Sequence, residues 1–255
     1  MNEALRAAMA QAGYTIESLA EKTAVDPKTV SRWLDPGRIP HARTRVRAAN
    51  VLGQKVSDLW PNTGRRRDPQ WFKPWAEAEH EALSLRWFEP LVVPGLLQTE
   101  AYARAVLTDA GPISRDDVEQ KVRDRLDRQW ILSRKNPPQF TACLDEGALR
   151  RPIGSPQVML EQVRALLAAC QEPHIRVHLV PSTAGAYAGL NGPFAVAAGP
   201  GGRITCYLDN QLEGQVVESA EHVAALQGSW ESVRGEALPH RQSIELMTEV
   251  AETWT

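Results

Sequence analysis

The 255-residue sequence predicts an all-α head of five short helices joined to a larger α+β domain. Three observations carry this. Residues 2–60 show only helical periodicity interrupted by turns, while candidate strands cluster between residues 140 and 208. Between them, Pro61-Asn62-Thr63-Gly64-Arg65-Arg66-Arg67-Asp68-Pro69 can continue neither a helix nor a strand. The expected boundaries are 1–61 for the head, 62–70 for a linker and 71–255 for the second domain.

In the head, Leu5, Ala8, Met9 and Ala12 share one helical face, and Gly13 ends that helix. Ile16, Leu19 and Ala20 form the next apolar face. Asp26-Pro27 starts a third helix, with Asp as N-cap and Pro at a position that needs no N–H. Val30, Trp33 and Leu34 are its expected buried side, and Asp35-Pro36-Gly37 stops it. A fourth helix turns Val46, Ala49 and Leu52 inward and ends at Gly53; a fifth turn carries Val56, Leu59 and Trp60.

The larger domain mixes periods. Helix starts stand at Thr99, at Ser114 with Asp117 three residues on, and at Ser155-Pro156. The last opens a face of Met159, Val163, Leu166, Leu167 and Cys170. Strands are expected at Phe140–Leu144, Ile175–Val180, Phe194–Ala197 and Ile204–Leu208, the last two flanking the hairpin signal Gly199-Pro200-Gly201-Gly202. Two closing helices carry Val223, Leu226, Trp230 and Val233, then Ile244, Met247, Val250 and Ala251. Leu83–Phe88 reads equally as strand or helix. Strands in the middle with helices on both sides predict α+β architecture rather than regular βαβ winding.

Composition narrows the function. A 43% hydrophobic and 24% charged chain is ordinary for a globular protein, and no apolar run approaches the length of a membrane helix. The amphipathic start MNEALRAAMAQAGY is unlike a signal peptide. Cys143, Cys170 and Cys206 are odd in number and lack a CxxC, so neither a disulfide framework nor a cysteine zinc site is expected, and the cytoplasm is the expected location. The net charge of −2 hides a split: residues 1–67 carry 12 basic and 6 acidic side chains (+6), and the remainder is −8. A basic head on an acidic body suits a nucleic-acid reader with a separate regulatory domain.

The stretch from Thr15 to Pro40 carries the chemistry. Two helices of about eight residues meet through a turn at Ala24-Val25-Asp26; Ala20 lets them cross closely, and Val25, Val30 and Trp33 lock them. That spacing is helix-turn-helix geometry, in which the second helix enters the DNA major groove. Lys28, Thr29, Ser31 and Arg32 fall on its outward face. The segment SLAEKTAVDPKTVSRWL followed by GRIP resembles the phage-repressor (Xre/Cro) type of helix-turn-helix domain over residues 2–60. Ala24 departs from the glycine common there, and an adjusted turn is expected, since a left-handed conformation costs alanine about 1 kcal/mol. Asp26 and Pro27 at the helix start shift the expected base readers inward to Lys28, Ser31 and Arg32. Arg32 either reads a guanine edge or rests on phosphate, and Thr29 and Ser31 equally suit phosphate or solvent. Arg38, Arg43, Arg45 and Arg47 are expected to add affinity and salt dependence without sequence information. Arg65, Arg66 and Arg67 track a DNA backbone or form a solvated linker.

VPGLLQTEAYARAVL (Val93–Leu107), RLDRQWIL (Arg125–Leu132), LDEGALRRPIG (Leu144–Gly154) and IRVHLVP (Ile175–Pro181) resemble a C-terminal domain of unknown function. It is attached to this kind of head in antitoxin-like regulators of actinobacteria associated with development and antibiotic production. The resemblance implies a companion protein encoded nearby as a possible partner. Enzymatic signals are weak. His174 and His178 lie on a strand about 13 Å apart, too far to share a metal, and no HExxH, GxSxG or P-loop is present. Asp145-Glu146 with Arg150-Arg151 reads as a capped helix start with surface ion pairs or, alternatively, as a carboxylate pair with an anion site. The Gly-rich stretch Gly185–Gly192, with Tyr187, is a weak candidate pocket. Phe72, Trp71 and Trp75 form an aromatic cluster able to dock head on body.

The expectation is therefore a dimeric, sequence-specific transcriptional regulator binding double-stranded DNA at a pseudo-palindrome through residues 27–34. It has no catalytic residue, cofactor, metal or membrane contact. An antitoxin-like protein that sequesters a companion, with autoregulatory DNA binding, is the first alternative; a ligand-sensing or enzymatic C-terminal domain is the second.

Overall fold

A computed structural model describes residues 2–35, 38–60, 72–109, 111, 113–209 and 214–255. The expected linker 62–70, Arg65 to Arg67, Trp71 and Pro36-Gly37 lie outside the described residues. In chain order the helices are α1 (Glu3–Gln11), α2 (Ile16–Thr23), α3 (Pro27–Trp33), α4 (Ala42–Leu52), α5 (Val56–Leu59), α6 (Lys73–Glu81), α7 (Glu100–Asp109), α8 (Arg115–Arg128), α9 (Glu146–Arg150), α10 (Pro156–Ala169), α11 (Ala220–Glu236) and α12 (His240–Glu252). The strands are β1 (Ser84–Glu89), β2 (Gln139–Asp145), β3 (Ile175–Val180), β4 (Phe194–Ala198), β5 (Ile204–Leu208) and β6 (Gln215–Val217). They fold into two compact units, Met1–Arg67 with Ser114–Asn136, and Asp68–Ile113 with Pro137–Thr255. Sequence order suggests one cut near residue 62. The units instead interleave, because α8 and the turn after it pack with the first 67 residues.

In the first unit the apolar stripes meet as the periodicity predicts, except that Ala12 caps the end of α1 and is exposed. Leu5, Leu19, Val30, Ala49 and Leu59 are fully buried in one core, each leucine contributing about 1.5–3 kcal/mol by leaving water. Trp33 and Trp60 meet edge to face there, their centroids 6.2 Å apart. Trp130, from the 3-10 turn Gln129–Leu132 that follows α8, packs against the same core. Asp26 caps α3 by accepting the Lys28 N–H at 2.8 Å, with Pro27 at the first helical position. Thr15 and Ser18 cap α2 reciprocally. Ser114 caps α8, accepting the Asp117 N–H at 3.1 Å.

The second unit is built on one six-stranded sheet in the order β3-β2-β1-β4-β5-β6. The undecided segment Leu83–Phe88 resolves as a strand, β1 running from Ser84 to Glu89 and pairing in parallel with β2 and antiparallel with β4. Strands β1, β2 and β3 run parallel with helical crossovers, so half the sheet is wound as βαβ units; β4, β5 and β6 return antiparallel. Phe88, Cys143, Val180, Val196 and Cys206 on one sheet face pack with Val223, Trp230 and Val233 of α11. On the other face, Trp75 of α6 stacks on Tyr207 at 5.2 Å and meets Trp87 at 5.9 Å, while Phe72 meets Tyr207 edge-on. The aromatic cluster after the linker thus anchors α6 on the sheet of its own unit, which corrects the expectation that Phe72 and Trp75 dock the head. Burial on both faces explains the near-continuous apolar runs of β2, β3 and β4.

The outer edge of β3 is sealed. Leu238 N–H donates to the Leu179 carbonyl at 2.8 Å, and Leu179 N–H donates to Ser243 Oγ at 3.0 Å. His178 and His240 reach across reciprocally, each Nδ1 donating at 3.0 Å, to the Leu238 and Val177 carbonyls respectively. Those bonds answer backbone groups that an edge strand otherwise offers to another chain. Among the described residues no helix is long and apolar enough to cross a membrane.

Candidate functional site

The α2–α3 pair is held by a turn whose geometry is set at one residue. Ala24 has φ 52° and ψ 49°, and among the described residues no other non-glycine has positive φ. The turn is therefore fully left-handed rather than adjusted around alanine. The conformation persists because it closes the helix end: Ala24 N–H donates to Glu21 O at 3.2 Å and Val25 N–H to Ala20 O at 3.0 Å. From the opposite side, Arg47 of α4 donates through Nη1 to the Thr23 carbonyl at 2.8 Å.

That turn directs α3 so that Val30 and Trp33 are buried while Lys28, Ser31 and Arg32 are exposed. Thr29 is half-buried between the two sets. Arg38, in the segment after α3, and Arg43, on α4, are also exposed. Three long or polar side chains on one short helix, with basic neighbours, form a surface able to meet phosphates and base edges.

Arg45 differs from its neighbours and is corrected. It is 1% exposed, so no external phosphate reaches it. Its Nη2 pairs with Asp127 Oδ1 of α8 at 3.2 Å, while Nε and Nη1 are buried without a hydrogen-bond partner among the described residues. Burial lowers the Arg45 pKa against the pull of Asp127, with Arg123 and Asp124 also acting on it. Burial likewise raises Asp127 to about 6, against the attraction of Arg45. Beside this pair, Asn50 Nδ2 of α4 donates to Ser133 Oγ at 3.1 Å. Arg45, Ala48, Ala49 and Leu52 lie on one helical stripe, and Arg43, Arg47 and Asn50 on the exposed one. The spacing of Arg45 from Ala49 and Leu52 fits the buried stripe, while its charge argues for the surface.

The 114–136 segment also changes the charge account. The first unit holds 19 basic and 11 acidic residues, a net +8, and the second holds 10 and 20, a net −10. The split is steeper along the fold than along the sequence.

In the second unit the acidic pair after β2 is internally satisfied. Asp145 caps α9, accepting the Gly147 N–H at 2.7 Å and the Tyr187 hydroxyl at 2.8 Å. Glu146 accepts from the Ser182 N–H at 2.8 Å and pairs with Arg150 at 2.6 Å. Burial opposes ionisation of Glu146, yet the Ser182 and Arg150 contacts outweigh it and hold its pKa below the usual carboxylate value. Burial and the Asp145 carboxylate raise the Tyr187 pKa. Gly189 admits no side chain, because a Cβ would run into the Phe88 and Tyr187 rings. Tyr187 thus ties the Gly-rich stretch to Asp145 at the end of β2. Burial pushes the Cys143 thiol up to about 12 and those of Cys170 and Cys206 to about 11, leaving them unreactive.

A family model described as a domain of unknown function (DUF5753) matches residues 72–249. The chain belongs to the DUF5753 family. No curated protein and no solved structure matches the chain. The DUF5753 region takes in the whole sheet and, notably, residues 114–136, which pack in the other unit. A DUF5753 segment is therefore part of the fold that presents α3.

Proposed function

We propose that this protein is a sequence-specific DNA-binding transcriptional regulator of the helix-turn-helix type, acting as a dimer on a pseudo-palindromic operator in the cytoplasm. One observation carries the reading: α3 presents Lys28, Ser31 and Arg32 outward from a left-handed turn, on a unit whose net charge is +8. In this reading α3 lies in the major groove, Arg32 reads a base edge, and Lys28, Thr29, Ser31, Arg38 and Arg43 position the unit on phosphates. The resemblance of SLAEKTAVDPKTVSRWL to Xre/Cro heads supports the same assignment. The DUF5753 unit, at −10, is repelled by DNA. That charge favours a protein-contacting role for it, in dimerisation or in binding a companion protein.

The test is selection of genomic fragments by the purified chain at near-physiological salt, followed by titration of the enriched site. Arg32→Ala is expected to lose about 1–3 kcal/mol on that site and to relax one position. Arg38→Ala or Arg43→Ala should weaken all sequences alike and lower the salt slope by about one. Enrichment of no sequence, or an unchanged site affinity for Arg32→Ala, overturns the reading.

A further inference from the structure

We infer that the Arg45–Asp127 pair is a releasable latch by which the DUF5753 segment 114–136 conditions the α2–α3 pair. This does not depend on what α3 recognises.

The pair is poorly made for stability alone. One of Arg45's nitrogens meets Asp127 at 3.2 Å, while Nε and Nη1 are buried with no hydrogen-bond partner among the described residues. A buried ion pair recovers its desolvation cost only when its remaining donors and acceptors are satisfied, and apolar side chains of similar volume often serve as well or better. What such a pair supplies is two discrete states, since separation lets both charges return to water. An apolar contact in the same place gains nothing comparable on opening.

The neighbouring geometry shows what the latch holds. Arg45 and Arg47 are two residues apart on α4, about 200° around the helix, so they project on opposite sides. Arg45 grips α8, and Arg47 holds the Thr23 carbonyl at the last residue of α2, immediately before left-handed Ala24. Helix α4 is thus a rod of 11 residues with one grip on the inserted helix and one on the turn that sets α3. Asn50–Ser133 and the packing of Trp130 against the core complete the seat of the insertion. In sequence the insertion lies between α7, which ends at Asp109, and β2, which begins at Gln139.

Hydrogen exchange on the full chain tests this. Asp127→Asn leaves Arg45 buried without its counter-charge, and exchange across α8 is expected to rise about a hundredfold. A matching rise is expected at residues 19–30, with α1 and β2 unchanged. The double variant Arg45→Met/Asp127→Leu is expected to return both segments to or below the original rates. Adding Arg47→Met to Asp127→Asn should leave α8 open while the response at residues 19–30 no longer follows it. The latch is overturned if Asp127→Asn opens α8 without affecting residues 19–30, or if the double variant is as open as the single one. Loss of protection throughout the first unit, α1 included, also overturns it, because no partly open state would then exist.

Discussion

Ala24 offers a clean measurement of backbone strain. Its φ of 52° and ψ of 49° lie in the left-handed region, where an L-residue pays roughly 1–2 kcal/mol for the approach of Cβ to the carbonyl oxygen. Glycine pays none of this but gives up about 0.5–1 kcal/mol through its freer unfolded chain. Ala24→Gly should therefore stabilise the first unit by about 0.5–1 kcal/mol. The alanine methyl is exposed, so no packing is lost with it. Gly53 supplies the reverse experiment: it ends α4 at φ 64°, and a Cβ built there meets nothing within 4 Å. Gly53→Ala should cost about the same amount. Native-state hydrogen exchange over residues 16–34 should show protection rising about two- to fivefold in Ala24→Gly. It should fall by a similar factor over α4 in Gly53→Ala. Thermal unfolding of the unit should move by about 2–8 °C in the corresponding directions. Loss of protection in Ala24→Gly, with Gly53→Ala behaving as expected, would refute the argument. It would mean that alanine contributes something at this turn beyond backbone conformation.

Other expectations concern the second unit. Burial holds His178 at about 4, below its unfolded value, so the neutral ring favours folding. That contribution is complete above about pH 6.5 and is lost as pH falls toward 4, on the order of 1–2 kcal/mol after allowance for partial solvation. Denaturant titrations across that range should show the decline, and His178→Asn, which keeps a donor near Nδ1, should flatten it. Gly189→Ala should destabilise the unit by about 1–3 kcal/mol through overpacking against Phe88 and Tyr187, read as a lowered urea midpoint. Gln162 is fully buried and bridges the Thr99 N–H at 2.7 Å and the Leu97 carbonyl at 2.9 Å. Gln162→Leu should cost about 2 kcal/mol or more by leaving both backbone groups unanswered, whereas a change below about 0.5 kcal/mol would mean that water replaces the amide.

Local chemistry made much of this fold legible. Asp26-Pro27, Gly53 and Ser114 announce helix ends through groups within a few residues, and each element they bound lies where expected. Ile175–Val180 and Ile204–Leu208 were readable because apolar, β-branched runs were bounded by turn residues. What was missed depends on distant parts of the chain. Strand β1 pairs with β2 more than 50 residues on, and nothing within LSLRWF specifies that partner. Strand β6 is three residues long and exists by pairing with β5. Arg45 illustrates both sides for the candidate site: its spacing from Ala49 and Leu52 marked a buried stripe, while its charge suggested a surface. Only the position of Asp127 decides between them.

Interleaving of the two units also constrains synthesis on the ribosome. About 70 residues separate Arg67 from Asn136, so at about 5–20 residues per second the first unit waits some 3–14 s for the helix that closes it. Through that interval α4 carries Arg45 without its counter-ion, and strand β1 has emerged without β2. Neither unit can be completed before the other has begun. The nascent chain therefore assembles its two halves together, and a stall or rare-codon pause between residues 67 and 136 would prolong exposure of both at once.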